Sequence, residues 1–494
     1  MLGWEFPPYF AGGVGMVCYE LTKELARQGV FIDYLMPRMP LSISDSFLSI
    51  LDASKLQPSI SVGRFIKSAN SYTSQQLSFH LRTLQVPSTL EAYQTKADYL
   101  ATKELLQSMQ QKERFFGTPA SASGSTKSLY GENLLDEMQL FAQRTKHVLL
   151  EELKREHSKI SSDGVADSDY SVIHAHDWTT LPAAIGAKKI LNKPLIVHVH
   201  ITEFNKNPGN GIHQDIYEIE REGFAQADTI IAVSHAIKQT LVEQYGVAPG
   251  KIEVVHNGGV EMAPVQKRIH ELKKDGCKLV SFMGRITAMK GPQHFINMAK
   301  KVLEKCPNTK FIMAGTGDKL QECIKQARDL GLADRFYFHG FYTRDEAELL
   351  YDLSDVFVLP SLMEPFGVTP LEAMQKNTPV IVSKQSGVAE AIRHCFKVDF
   401  WDIDKMASHV VSLLSYPLLH KALVEEGYKE SKGMDWKKPA EECIDIYNKL
   451  SSKNSPSISS LPSSVNSSSC TSCSARSSSE DFSNENENKV IVYD

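Results

Sequence analysis

Two doubly wound α/β domains facing a cleft are what this sequence predicts, and three observations predict it. Short, continuously apolar runs recur, each followed by an amphipathic stretch of roughly 10–15 residues, the pattern of parallel strands covered on both faces. The series starts twice, with a change near position 265. The residues able to do chemistry gather just after the apolar runs, where sheets of this kind bind ligands.

The elements follow in order. "YSVIHAHD" runs strand-like into "TTLPAAIGAKKIL", and "PLIVHVHI" is the next strand. "ADTIIAVS" leads into "HAIKQTLVEQYG", and "KIEVVHN" closes the first half. "VEMAPVQKRIHELKKDG" reads as the linker. The second half alternates "KLVSFMGR", "GPQHFINMAKKVLEKC", "TKFIMAGTG", "KLQECIKQARDLG", "RFYFHGF", "RDEAELLYDL", "DVFVLPS", "PLEAMQKN" and "PVIVSK". These runs give a first domain over 1–265 with a helical insertion at about 41–170, and a second over 266–430. Residues 431–450 form a last helix. From 451 to 494 the chain is Ser- and Asn-rich with few apolar residues, too few to repay ordering entropy, and reads as a disordered tail. "GTPASASGSTKS" at 117–128 reads as an exposed loop.

Composition excludes several classes. The 494 residues are 42% hydrophobic and 23% charged, as in ordinary soluble globular proteins, with a net charge of −5. That charge argues against a nucleic-acid partner, which calls for a basic excess. No apolar run approaches the ~18 residues of a membrane span. "MLGWEFPPYF" has no basic start followed by an apolar core, so a secretory leader is not expected. Eight scattered cysteines suit free thiols in a reducing, cytoplasmic setting, and Cys470 and Cys473 lack a second pair at metal spacing.

Four segments could do chemistry. Gly12, Gly13 and Gly15 precede a helix with the apolar stripe Val17, Leu21 and Leu25, and let backbone amides approach an anion. They do not have the dinucleotide-binding spacing, and a tight turn is the plain alternative. Arg285 and Lys290 follow a strand, a planar fork and a point charge suited to a diphosphate, or else a solvated loop pair. His174, His176, Asp177 and Trp178 end one strand, and His198 and His200 end another. So many imidazoles could ligate zinc or bond to sugar hydroxyls. Without a Cys or Glu at ligand spacing we read them without a metal. Last, "EPFGVTPLEAM" places Glu364 in a loop with no structural role visible, while Thr369, Pro370 and Glu372 read as a capping box at a helix start.

Together "FPPYFAGGVG", "VIHAHDW", "ADTIIAVSHAIKQTL", "VVHNGG", "GRITAMKG", "GTGDK", "EPFGVTPLEAM" and "SGVAEAI" resemble, in order, the retaining glycosyltransferases of family 4, with the GT-B fold shared by glycogen and starch synthases. The resemblance covers about 1–40 and 170–450. It implies that Arg285 and Lys290 bind the donor diphosphate, Glu364 holds sugar hydroxyls, and Phe366, Gly367, Val368 and Thr369 offer loop amides to sugar and phosphate. Glu372 would take the ribose, His200 the sugar, and Gly12, Gly13 and Gly15 the acceptor and phosphate side. Asp177 and Asn257 are weaker carry-overs. The implied partners are a nucleotide-sugar donor and a carbohydrate acceptor. Neither a metal nor another cofactor is required, because the cations assist departure. The helix after "MDW" resembles the element that crosses back to the first domain.

Departures are specific. Ala11 stands where glycogen and starch synthases carry a lysine, Glu372 is kept where they tend to lose it, and "VVHNGGVE" has an added glycine. "WEFPP" with "HAHDW" leans toward the glucan-synthase branch. The expected activity is transfer of a hexose, glucose by preference, from a UDP- or ADP-linked donor to a carbohydrate such as an α-glucan, with retention. The alternatives are a lipid, sugar-phosphate or surface-glycan acceptor, and a non-catalytic glucan-binding protein. Donor base, linkage and oligomeric state are not legible.

Overall fold

The computed structural model describes residues 1–4, 13–37, 48–52, 81–86, 134–155, 170–206, 211–260, 262, 273, 276–453 and 489–492. Gly12, the 117–128 patch, most of the 260–276 linker, Cys470 and Cys473 lie outside them.

Two all-parallel sheets carry the fold. The first contains β1 (Phe31–Pro37), β2 (Leu48–Asp52), β3 (Leu81–Val86), β4 (Tyr170–His176), β5 (Leu195–Val199), β6 (Thr229–Ala232), β7 (Ile252–Val254) and β14 (Lys489–Val492), in the order β2-β3-β1-β14-β4-β5-β6-β7. The second contains β8 (Lys278–Met283), β9 (Thr309–Ala314), β10 (Phe336–Gly340), β11 (Val356–Leu359), β12 (Val380–Ser383) and β13 (Phe396–Val398), ordered β10-β9-β8-β11-β12-β13. Every residue of β5, β11 and β12 is buried, as strands covered by helices on both faces require.

Two expectations are corrected. The helical insertion at 41–170 includes the strands β2 and β3, which widen the first sheet beyond β1, alongside the helix Leu134–Arg155. "LRTLQV" does not alternate cleanly, with Arg82 and Thr83 adjacent, so period 2 did not stand out against the helical reading of the surrounding region. Nor does the expected disorder hold over the whole of 451–494. The last helix continues to Lys453, and the β-branched run Lys489–Val492 pairs with β1 and β4.

The helix Lys437–Lys453 packs on the first domain. Trp436, Ala440, Cys443, Ile446, Tyr447 and Leu450 share a core with Val17, Leu21 and Leu25 of the helix Gly13–Arg27. The chain therefore leaves the second domain to finish the first. Gly258 and Gly259 lie beneath this return: a Cβ on Gly258 would meet the backbone of Asp435, and Gly259 N–H donates to Met434 O. That close approach accounts for the added glycine in "VVHNGG".

Candidate active site

The loops after β8 and β9 interlock backbone to backbone. Gly315 (φ +134°) has no room for a Cβ, which would fall on the carbonyl oxygen of Gly284, and Gly317 is pressed likewise against Ile286. This fixes the turn that carries Arg285, half-buried at the strand end, and Lys290. Met289 O accepts from Leu362 N–H at 2.8 Å and Met363 N–H at 3.3 Å, tying the turn to the loop after β11.

Glu364 has a structural role after all. Its carboxylate accepts from Lys290 Nζ and from Ser361 Oγ at 3.3 Å, and its backbone bridges to Gln385 and Gly387. Both partners are largely buried, with side chains 7% and 14% exposed. Gly367 (φ +91°) turns the chain over this side chain, and Phe366 is buried against His256. The phenyl ring is therefore core, and only its backbone is available to a ligand.

The capping box is a second correction. The helix Thr369–Gln375 is preceded by Val368, whose carbonyl accepts from Leu371 and Glu372 N–H. It starts one residue earlier than the sequence pattern suggests, because Gly367 turns the chain before Thr369. Glu372 instead accepts from Tyr351 Oη at 2.9 Å, and burial raises its carboxyl above the ordinary value. The freed Thr369 hydroxyl is buried with no protein partner among the described residues, as are those of Thr287 and Ser386. Buried hydroxyls of this kind, on the loops after β8, β11 and β12, are groups a polar ligand could satisfy.

The first domain holds a stack of four buried imidazoles. His174, His176, His198 and His200 have ring centroids 4.4–5.3 Å apart. His176 Nδ1 is 2.8 Å from His200 Nε2, His174 Nε2 is 3.3 Å from His198 Nδ1, and His174 Nδ1 is 2.6 Å from Tyr447 Oη. Burial drives all four below their ordinary pKa, His200 to about 3, so the rings are neutral. Asp177 (φ +57°) accepts from the N–H groups of His200 (2.7 Å) and Ile201 (3.2 Å). Its strained backbone and its carboxylate fix the His200 loop, which makes it a positioning residue. Burial lifts its pKa to about 7.

The two halves meet at Glu390, whose carboxylate accepts from His235 and Ala236 N–H and lies 3.3 Å from His256 Nε2. Glu390 stands within "SGVAEAI", but its reach across to the first domain was not legible. Nor was Tyr351 as the partner of Glu372, since a pairing 21 positions apart leaves no mark on local pattern. Gly13 is exposed and Gly15 buried at the start of their helix, and Asn257 is buried beside the glycine pair.

Sequence comparison accords with this arrangement. Residues 266–430 match the profile described as glycosyl transferases group 1, and residues 142–258 match glycosyltransferase family 4. An uncharacterized glycosyltransferase of Methanocaldococcus jannaschii is 30% identical over 296 residues, 56% of this chain and 75% of the relative. The chain belongs to the group 1, family 4 glycosyltransferases. The glycosyltransferase is also 27% identical to a glycogen synthase of Mycobacterium tuberculosis, over 45% of this chain and 54% of that one. Its GT-B fold is shared with sucrose-phosphate synthase of Thermosynechococcus elongatus, with a TM-score of 0.60, 16% identity and coverage of 90% and 95%. Anabaena HepE in complex with UDP and glucose gives a TM-score of 0.54 at 18% identity, covering 75% and 92%. No helix among the described residues is long and apolar enough to cross a membrane.

Proposed function

We propose that this glycosyltransferase moves a hexosyl group, glucosyl by preference, from a nucleotide diphosphate to a carbohydrate hydroxyl with retention of configuration. The observation that carries the reading is the largely buried Lys290–Glu364 pair, on the same turn after β8 that carries Arg285. A donor diphosphate would draw Lys290 toward itself and release the Glu364 carboxylate to the sugar hydroxyls. Glu372, held by Tyr351, would take the ribose. Arg285 and Lys290 would stabilise charge on the departing phosphate, typically by a few kcal/mol per group.

The acceptor oxygen then attacks from the face the phosphate leaves. Its proton passes to a phosphate oxygen as the C–O bond to phosphate breaks, giving glycoside and nucleoside diphosphate. His200 would contact the sugar as a neutral hydrogen-bonding group. No metal is assigned to this step, because the two cations cover the leaving group. The similarity to a glycogen synthase favours an α-glucan acceptor. A phosphorylated acceptor is the second reading, favoured by relatives named D-inositol 3-phosphate glycosyltransferase, one from Acidothermus cellulolyticus at 28% identity. The described cysteines are not joined to one another by disulfides, in keeping with a reducing cytoplasm.

The test is a panel of UDP- and ADP-sugars assayed for nucleotide release, alone and with glycogen or inositol phosphate, the product anomer being read by NMR. Release with one donor, α-product, and loss in Arg285→Ala are expected. No release from any donor, with Arg285→Ala like wild type, would overturn the reading.

A further inference from the structure

The fold supplies what the spacing of the histidines lacked. Cys18, on the helix Gly13–Arg27, is fully buried, and its Sγ lies 3.7 Å from His176 Nδ1 although 158 positions separate the two residues. That nitrogen is also 2.8 Å from His200 Nε2, and the ligand atoms of Cys18, His176 and His200 all lie within 4.8 Å of one another. We propose that these three residues bind a thiophilic divalent cation of the zinc type, and that its binding shuts off glycosyl transfer by capturing His200.

Geometry favours this triad. Zinc–nitrogen and zinc–sulfur bonds of about 2.05 and 2.3 Å in a tetrahedron separate S and N by about 3.6 Å, and two nitrogens by about 3.3 Å. The Cys18–His176 separation already matches. The His176–His200 separation has to open by roughly half an ångström, exchanging an imidazole hydrogen bond for two metal bonds. Burial keeps both rings in the neutral form that ligates. The competing group, His174 with His176 and His198, is weaker: both nitrogens of His174 already face partners, Tyr447 and His198, and it offers no thiolate. His200 follows the carboxyl end of β5, and with the sugar contact proposed for it above, the cation and the donor sugar would compete for one side chain. On binding, the Cys18 thiol gives up its proton to solvent and its sulfur bonds the cation, leaving no redox change.

The inhibitory half rests on the proposed role of His200, whereas the binding half does not. Titrating the full-length protein with Co2+ is expected to give one equivalent with thiolate-to-cobalt charge-transfer absorption. The band should vanish in Cys18→Ala and persist in Cys443→Ala, which removes another buried thiol. X-ray absorption of the zinc-loaded wild type should show one sulfur and two imidazole nitrogens, a readout that holds even if Cys18→Ala fails to fold. No charge-transfer band, a band that survives Cys18→Ala, or a zinc shell without sulfur would overturn the site. Zinc should inhibit donor turnover reversibly with chelator, at a concentration at least tenfold lower in wild type than in Cys18→Ala. Sulfur-ligated zinc without inhibition would overturn the switch alone, and absence of turnover with every donor would count against the proposed function while leaving the spectra as the test of the site.

Discussion

Glu364 has a structural partner in Lys290 and a proposed role in sugar binding, and experiment can separate the two. Glu364→Ala leaves Lys290 in a nearly closed pocket without its anion, a loss on the order of 3–5 kcal/mol for a buried pair. Glu364→Gln should recover part of that stability and none of the turnover, read by chemical denaturation and nucleotide release. The sequence marked Glu364 for sugar binding but hid its tie to Lys290, because 74 positions separate the two. Acidity offers a second test. The four histidines, held neutral, leave protons to the unfolded chain, so their contribution is lost as pH falls through the ordinary histidine value of about 6.5. Asp177 and Glu220, both raised to about 7 by burial, act in the opposite sense, retaining protons in the fold and losing stability as pH rises from about 4 to 7. Four groups outweigh two below neutrality. Denaturation midpoints should therefore fall from pH 7 to pH 5, and fall less once His174→Gln removes one imidazole.

At the scale of elements, what positions the loops after β8 and β9, the proposed donor site, is backbone packed where no Cβ fits. Gly315→Ala would force the β8 and β9 loops apart at Gly284, on top of the strain of φ +134°. The expected result is a destabilisation of more than 2 kcal/mol and weaker donor binding, checked by denaturation and by calorimetric titration with UDP. Gly331→Ala at φ +71°, with open space around its Cβ, should cost less and leave binding unchanged. Most strands of both sheets were legible because buried parallel strands are continuously apolar. Glycines also advertised the turns. Strands β2 and β3 were missed because neither alternates cleanly, and both lie in a region read as helical. The start of the helix at Thr369 was misplaced because Thr-Pro-x-Glu fits a capping box as well as it fits a first helical turn behind Gly367.

For the whole molecule, the site depends on two domains that hold each other at Glu390 and share a core through the helix Lys437–Lys453. The two parallel sheets were legible in the sequence. The nearness of Cys18 to His176 was not, because it depends on how the helix Gly13–Arg27 packs against the first sheet, 158 positions away in the chain, which no local pattern encodes. The returning helix also bears on synthesis. A ribosome delivers the first domain's strands long before it delivers Trp436, Ala440, Cys443 and Tyr447, which cover the face of the helix Gly13–Arg27. The earlier half must wait, incompletely sealed, while the entire later half is translated. A chain arrested after Gly433 should then bind a hydrophobic dye and be cleaved by protease within the first domain, whereas the second domain resists. Equal resistance in both would mean that the two halves mature independently. The order of the chain thus leaves the first domain to close last, since both the helix Lys437–Lys453 and β14, which lies between β1 and β4, follow the whole second domain.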